Sequence, residues 1–104
     1  MLEGKAILMF EEWFKVTHPR FDLLSDWESI GFYSLPPSMQ FGVIQDWADS
    51  VGVEIGCYRG VDQWLWFCND NKTRKHNGSE VSTRQEAREA AITKLSELVN
   101  NKYK

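Results

Sequence analysis

The chain has 104 residues, of which 42% are hydrophobic and 26% are charged, and its formal net charge is −3. A chain of this length can bury one modest hydrophobic core, which excludes a multidomain enzyme and predicts a single domain over residues 1–104. The sequence has no apolar run of membrane-spanning length and no basic segment leading to a cleavage site near its start, so we expect a cytoplasmic protein with no membrane contact.

The charges are distributed unevenly along the chain. Residues 1–57 carry three basic and nine acidic residues, a net charge of −6, whereas residues 58–104 carry nine basic and six acidic residues, a net charge of +3. This asymmetry indicates either an anion-binding face in the C-terminal half or two halves that attract each other in the fold.

The N-terminal segment, residues 1–37, is predicted to form a helix and a structured connector. Apolar residues recur every three or four positions over residues 6–16, which is the pattern of an amphipathic helix. The helix should end before Pro19, because the residue preceding a proline avoids helical backbone angles. In the connector, Ser25 and Glu28 have the spacing of a capping box, which indicates one short turn of helix. The connector is rich in apolar residues, so we expect it to pack against the rest of the domain.

The second predicted helix spans residues 38–51. Ser38 follows two prolines and offers the hydroxyl that is typical of an N-cap, and apolar residues then recur at helical spacing. Gly52 stands where a glycine with a positive φ commonly ends a helix.

A β-hairpin is predicted next. Apolar and polar residues alternate over residues 53–58, and residues 64–68 are dense in strand-forming side chains. Asn69 to Asn71 should form a turn, and residues 73–76 a third, edge strand. The sheet over residues 53–82 therefore has two or three antiparallel strands.

Trp64 and Trp66 share one face of the second predicted strand, and Leu65 and Phe67 share the other. One layer of helices covers one face of a sheet, so the second face needs another cover. Either the N-terminal helix and connector supply that cover, or Trp64 and Trp66 form an exposed patch for a partner. We expect the internal cover, because the apolar N-terminal region also needs a surface on which to bury its side chains.

Cys57 and Cys68 fall on the two strands of the hairpin. No C-x-x-C spacing is present, so neither a zinc site nor a redox pair is indicated. We expect buried thiols, with a cross-strand disulfide as the alternative.

The last helix is predicted over residues 83–99. Thr83 and Glu86 have the capping-box spacing, and alanines followed by leucines line one face. The fold class is therefore α+β, with a small antiparallel sheet packed by two helices in the order α-β-β-β-α over residues 38–104, and with an additional N-terminal helix and connector.

No catalytic signature is present. The two histidines, His18 and His76, lie far apart in the sequence and lack partners at metal-binding or triad spacing. The glycines do not form a phosphate-binding loop. We therefore predict no enzymatic activity, no metal site and no cofactor.

The segment over residues 72–88 is basic enough to suggest an anion-binding surface. A helix N-terminus adds partial positive charge to it, which favours phosphate. The alternative is an exposed edge of mixed charge, because Glu80, Glu86 and Glu89 lie in the same stretch. The candidate nucleic-acid-binding residues are Lys72, Arg74, Lys75, Arg84 and Arg88.

Over residues 38–99 the order of elements resembles that of double-stranded-RNA-binding domains. Residues 82–91, STRQEAREAA, are similar to that family's final helix, with its basic start and alanine-rich inner face. The resemblance implies the α-β-β-β-α fold and, as an alternative function, nucleic-acid binding through the basic segment.

Four short segments, at residues 10–14, 35–40, 49–55 and 83–88, resemble parts of small uncharacterised proteins encoded by bacteriophages and related mobile elements. This resemblance implies an accessory protein that acts in the cytoplasm of a bacterial host by binding a host protein. Inhibition of a nucleic-acid-directed defence system is one such role.

The functional hypothesis is therefore a non-enzymatic binding module, a monomer or a homodimer, that acts through a protein partner. Acidic side chains on such a protein can compete for a basic nucleic-acid channel on the target. The candidate contact residues are Glu11, Glu12, Asp22, Asp26, Asp46, Trp64 and Trp66.

Overall fold

The structure, a computed structural model, describes residues 2–18, 32–70, 74–77 and 80–102. The predicted α+β fold is confirmed, and the three strands form an antiparallel sheet in the order β1-β2-β3. The predicted capping box at Ser25 lies outside the described residues. In chain order the elements are α1 (Lys5–Thr17), a 3-10 turn (Phe32–Ser34), α2 (Pro37–Ser50), β1 (Val53–Arg59), β2 (Trp64–Asp70), β3 (Arg74–Asn77) and α3 (Arg84–Lys102).

The helices α2 and α3 pack side by side on one face of the sheet. On that inner face, Ile55 of β1 lies opposite Cys68 of β2, and both side chains are buried. The next pair on the same face joins Cys57 to Trp66, and Trp66 packs against the buried core. The core of the domain therefore lies between the sheet and these two helices.

The helix α1 forms a further layer, because it packs on α2 and α3. Phe10 is 1% exposed, and its ring centroid lies 4.9 Å from that of Phe32 and 5.6 Å from that of Trp47. The apolar face of α1 is thus buried against helical neighbours rather than against the second face of the sheet. The expectation that the N-terminal helix covers the second face of the sheet is therefore wrong, because α1 packs on the helices instead. Trp66 packs against the buried core, on the face that α2 and α3 cover. Residues 19–31 of the connector lie outside the described residues.

The start of α1 is held by the other end of the domain. Gly4 is the N-cap residue and offers no side chain, so the side-chain Oδ1 of Asn100 accepts the Ala6 N–H at 2.8 Å instead. One turn earlier on α3, the buried Ser96 hydroxyl oxygen accepts the Glu3 N–H at 2.9 Å. Two side chains of α3 therefore satisfy backbone groups that α1 cannot satisfy itself.

Of the three helix boundaries predicted from capping residues, two are confirmed and one is wrong. The assignment of Ser38 as N-cap is wrong, because Pro36 caps α2 and Pro37 is its first residue, where a proline loses no hydrogen bond. Gly52 does follow the end of α2 with a φ of +82°, as predicted. Thr83 caps α3, since its Oγ1 accepts the Glu86 N–H at 3.1 Å.

The end of β2 also differs from the prediction. Asn69 and Asp70, expected to start a turn, continue the strand to Asp70. β2 is the central strand and is paired on both sides at these positions, so ladder hydrogen bonds outweigh the turn preference of Asn and Asp. Cys57 and Cys68 are free thiols, because the register places them diagonally across the ladder and not opposite each other.

Candidate functional site

The strongest candidate site is an open concavity of about 440 Å³ where β2 and α3 begin. Its lining includes Trp64, Arg84 and Arg88, together with Ser38 and Gln45 of α2. We call this surface the Trp64 pocket. It combines Trp64, one of the predicted protein-contact residues, with two of the predicted nucleic-acid-binding residues.

Backbone pairing brings the two basic side chains to the tryptophan. The Trp64 N–H donates to the Val81 carbonyl at 2.8 Å, and the Val81 N–H donates back at 2.9 Å. This bridge holds the segment before α3 against the first residue of β2. As a result, the Arg84 guanidinium carbon lies 4.4 Å from the centroid of the Trp64 ring, which is a cation–π contact.

The first turn of α3 fixes the position of both arginines. The Thr83 Oγ1 accepts the Glu86 N–H at 3.1 Å, which is the first bond of the predicted capping box, and the Thr83 hydroxyl donates to the Glu86 carboxylate at 3.3 Å. Arg88 lies one turn after Arg84 and therefore on the same side of the helix. Among the described residues, no carboxylate lies within 4.0 Å of either guanidinium. Both positive charges are thus available to a ligand.

The structure separates the other predicted basic residues from this pocket. Arg74 of β3 is paired with Asp70, at the end of β2 opposite to Trp64. Six residues of strand correspond to roughly 20 Å. Lys75 occupies the neighbouring register position, opposite Asn69, and Lys72 lies outside the described residues. The predicted basic set therefore divides between the two ends of β2.

The predicted acidic contact residues also lie at different places. Glu11 faces Tyr33, and burial, with a further contribution from the Glu11 carboxylate, raises the pKa of the Tyr33 hydroxyl. Glu12 lies on a groove between α1 and α2, and Asp46 is exposed on α2. Asp22 and Asp26 lie outside the described residues. Trp64 and Trp66 are both half-buried, but Trp66 packs against the core whereas Trp64 lines the pocket.

The groove between α1 and α2 is a second concavity, of about 490 Å³. Leu8 and Met9 of α1 line it, and Trp47 of α2 and Val51, the C-cap residue of that helix, complete the apolar floor. Leu8 is 67% exposed. This groove is not predicted by the sequence pattern, although Lys5, Leu8, Met9 and Glu12 have the spacing of one helix face.

The outer face of the sheet carries the remaining aromatic residues. Tyr58 is 47% exposed, and its ring centroid lies 6.4 Å from that of Phe67. The Phe67 ring lies directly over Gly56, where a Cβ would approach within 2.5 Å of its Cζ. A side chain at position 56 would displace this ring from its place over the strand.

The described residues offer little for covalent or metal chemistry. They contain no group of three or more His, Cys, Asp and Glu side chains that could hold a metal ion. Burial raises the pKa of the Cys68 thiol to about 11, and Asp70 adds to this while Lys94 opposes it. A thiol with this pKa stays protonated, so it is a poor nucleophile.

Comparison of the chain with known protein families, with curated proteins and with solved structures found no match. In the described part of the chain, no helix has both the length and the apolar character needed to cross a membrane.

Proposed function

We propose that the protein is a non-enzymatic binding module that contacts a protein partner through the Trp64 pocket. The observation that carries this proposal is the cation–π contact of Arg84 with Trp64, where no carboxylate of the described residues lies within 4.0 Å of the guanidinium. Tryptophan and arginine are the residues most enriched among those that dominate binding energy in protein interfaces. Their contact here is formed before any partner binds, which reduces the entropy lost on association.

The chemistry of the pocket suits a carboxylate beside an apolar group. The guanidinium of Arg84 or Arg88 can donate two parallel hydrogen bonds to a carboxylate, and the Trp64 ring offers apolar area next to them. An acidic segment of a partner, with Asp or Glu next to an aliphatic or aromatic residue, matches this arrangement.

The surroundings favour a protein over a nucleic acid. Glu86 and Glu89 are exposed on the same helix as the two arginines, and the chain carries a net charge of −3. Binding to a nucleic-acid backbone requires several cations along one surface, because each neutralised phosphate contributes to affinity. The division of the basic set between the two ends of β2 does not provide such a surface.

The resemblance to small bacteriophage proteins extends the proposal to the kind of partner. On that basis the partner is a cytoplasmic protein of a bacterial host, and inhibition of a nucleic-acid-directed defence system is the role that binding would serve. The acidic side chains of the N-terminal half would then add repulsion towards nucleic acid near the bound target.

The test is recovery of the partner by tagged protein from bacterial lysate, with and without nuclease. The double variant Arg84→Ala with Arg88→Ala removes both cations of the pocket. The matched control, Lys15→Ala with Lys102→Ala, removes the same charge from the ends of α1 and α3. Circular dichroism verifies that both variants fold.

We expect one protein to be recovered by the wild type and by the control variant, with or without nuclease, and at least tenfold less of it by the pocket variant. Equal recovery by the pocket variant would show that the contact lies elsewhere. Recovery that disappears with nuclease would show that the pocket serves nucleic acid, and the loss of affinity with salt would then report the number of phosphates bound.

A further inference from the structure

The helix α1 carries a stripe of four residues with an apolar centre, of which Leu8 is exposed and Met9 is half-buried against the edge of the core. Its buried face consists of Ala6, Phe10 and Phe14, and the stripe lies on a different side, at residues 5, 8, 9 and 12. Residues 5 and 8 and residues 9 and 12 are three positions apart, and residues 5 and 9 and residues 8 and 12 are four apart, so the four side chains lie on one face of the helix. Leu8, at the centre of the stripe, is 67% exposed although it is fully apolar.

The charges of the stripe are arranged symmetrically about its apolar centre. Lys5 precedes Leu8 by three residues, and Glu12 follows Met9 by three. When two copies of such a helix pack antiparallel about an axis midway between residues 8 and 9, each lysine lies opposite the glutamate of the other copy. The same operation places each Leu8 beside the Met9 of the other copy. The stripe is therefore complementary to itself in both charge and polarity.

We propose that α1 forms a two-fold symmetric interface with a second copy of this chain. In the dimer, the α1 of each copy lies against the groove between α1 and α2 of the other, and Leu8 inserts over the floor formed by Trp47 and Val51. The Ser50 hydroxyl at the groove edge already donates to the Trp47 carbonyl at 2.6 Å, so covering it leaves no unpaired donor. A closed two-fold contact of this type stops at two copies.

The size of the stripe sets the strength of the dimer. A helix of 13 residues is roughly 20 Å long and, with its side chains, roughly 10 Å wide. The surface that such a helix face can bury is smaller than the about 800 Å² that each partner buries in a standard protein–protein interface. We therefore expect a weak dimer, with a dissociation constant of roughly 10 µM to 1 mM. This interface is separate from the Trp64 pocket, and neither proposal depends on the other.

The test is analytical ultracentrifugation of the whole chain from about 5 µM to about 1 mM, with the dissociation constant obtained from the concentration dependence of the mass. Leu8→Glu places a charge at the centre of the interface and should leave a monomer throughout this range. The matched control is Val61→Glu, because Val61 is 94% exposed in the loop between β1 and β2. The control should dimerise as the wild type does.

A charge exchange tests the geometry itself. Lys5→Glu alone and Glu12→Lys alone each create two like-charge pairs in the symmetric interface, so each should raise the dissociation constant about tenfold. The double variant Lys5→Glu with Glu12→Lys restores opposite charges across the axis and should return the constant to within about threefold of the wild type. Glu97→Lys on α3 is the control for a change of net charge.

Three results would overturn the proposal. A wild-type chain that is monomeric at 1 mM has no such interface. A dimer that survives Leu8→Glu is formed by another surface. A double exchange that is no tighter than the single variants shows that the two helices do not pack antiparallel about this axis.

Discussion

Replacing Phe10 by alanine tests whether α1 is part of the cooperative core. Phe10 is 1% exposed, and its ring packs against Phe32 of the 3-10 turn and Trp47 of α2. Removing a buried aromatic ring loses about 1.5–3 kcal/mol of transfer free energy, and the cavity that remains raises the total to about 3–5 kcal/mol. A domain of this size has a total stability of about 5–15 kcal/mol, so the variant should fold but lose a large part of its stability.

The assay is urea unfolding at low protein concentration, followed by tryptophan fluorescence and by far-ultraviolet circular dichroism. Trp47 is in contact with Phe10 and reports on the packing of α1. With a denaturant slope of about 1.5 kcal/mol per molar, the midpoint should fall by about 2–3 M, and the two signals should coincide. Val16→Ala is the control, because Val16 is 76% exposed on the same helix, and it should change stability by less than about 0.5 kcal/mol.

Two results would refute this reasoning. A loss below about 1 kcal/mol would mean that Phe10 is not enclosed as described. A separate early transition in circular dichroism, with little change in the main one, would mean that α1 unfolds independently of the sheet and its two helices.

The capping and thiol observations give two further predictions. Thr83→Ala removes the hydroxyl that accepts the Glu86 N–H and should lower the free energy of unfolding by about 1 kcal/mol. Thr83→Ser keeps a hydroxyl at this position and should retain most of that stability, as measured by the urea midpoint. Equal stability of the two variants would contradict a stabilising role for the Thr83 hydroxyl. Cys68 is fully buried and its pKa is raised to about 11, so only about one thousandth of this thiol is ionised at pH 8. An alkylating reagent should therefore modify Cys57 first, and Cys68 only at the rate of global unfolding. Mass spectrometry measures the two rates. Equal modification rates at pH 8 would show that the thiol is accessible.

Much of the fold could be predicted from local signals in the sequence. Gly52 and Thr83 mark helix boundaries because one requires a positive φ and the other supplies a hydroxyl at the correct spacing. The period of two over residues 53–58 likewise identified β1. These signals act over a few residues, so they are readable without knowledge of tertiary contacts.

The parts that could not be predicted depend on contacts between distant residues. Asn69 and Asp70 favour turns locally, but they are paired on both sides in the centre of the sheet. Alternation showed that Trp64 and Trp66 share a face, but it could not show that the helices cover that face. Only the pairing of β2 with the segment before α3 reveals that Trp64 meets Arg84.

The composition of the candidate site also depends on contacts between distant residues, so it could not be predicted from the sequence. Arg84 and Arg88 were identified from charge alone, together with Arg74 and Lys75 of β3. The antiparallel pairing of β3 with the far end of β2 then separates the two groups. A basic cluster in the sequence becomes a cluster in space only when the topology returns its members to the same end of a strand.

The contacts of Ser96 and Asn100 with the start of α1 have a consequence for the order of folding. They join residues 93 and 94 positions apart in the sequence, so the loop that they close is nearly the whole chain. Contacts of such large separation form late, because the entropy of closing the loop must first be offset by other contacts. We therefore expect the first turn of α1 to become stable only after α3 has docked on the sheet. We expect its amide protons to exchange with solvent through openings that leave the sheet intact.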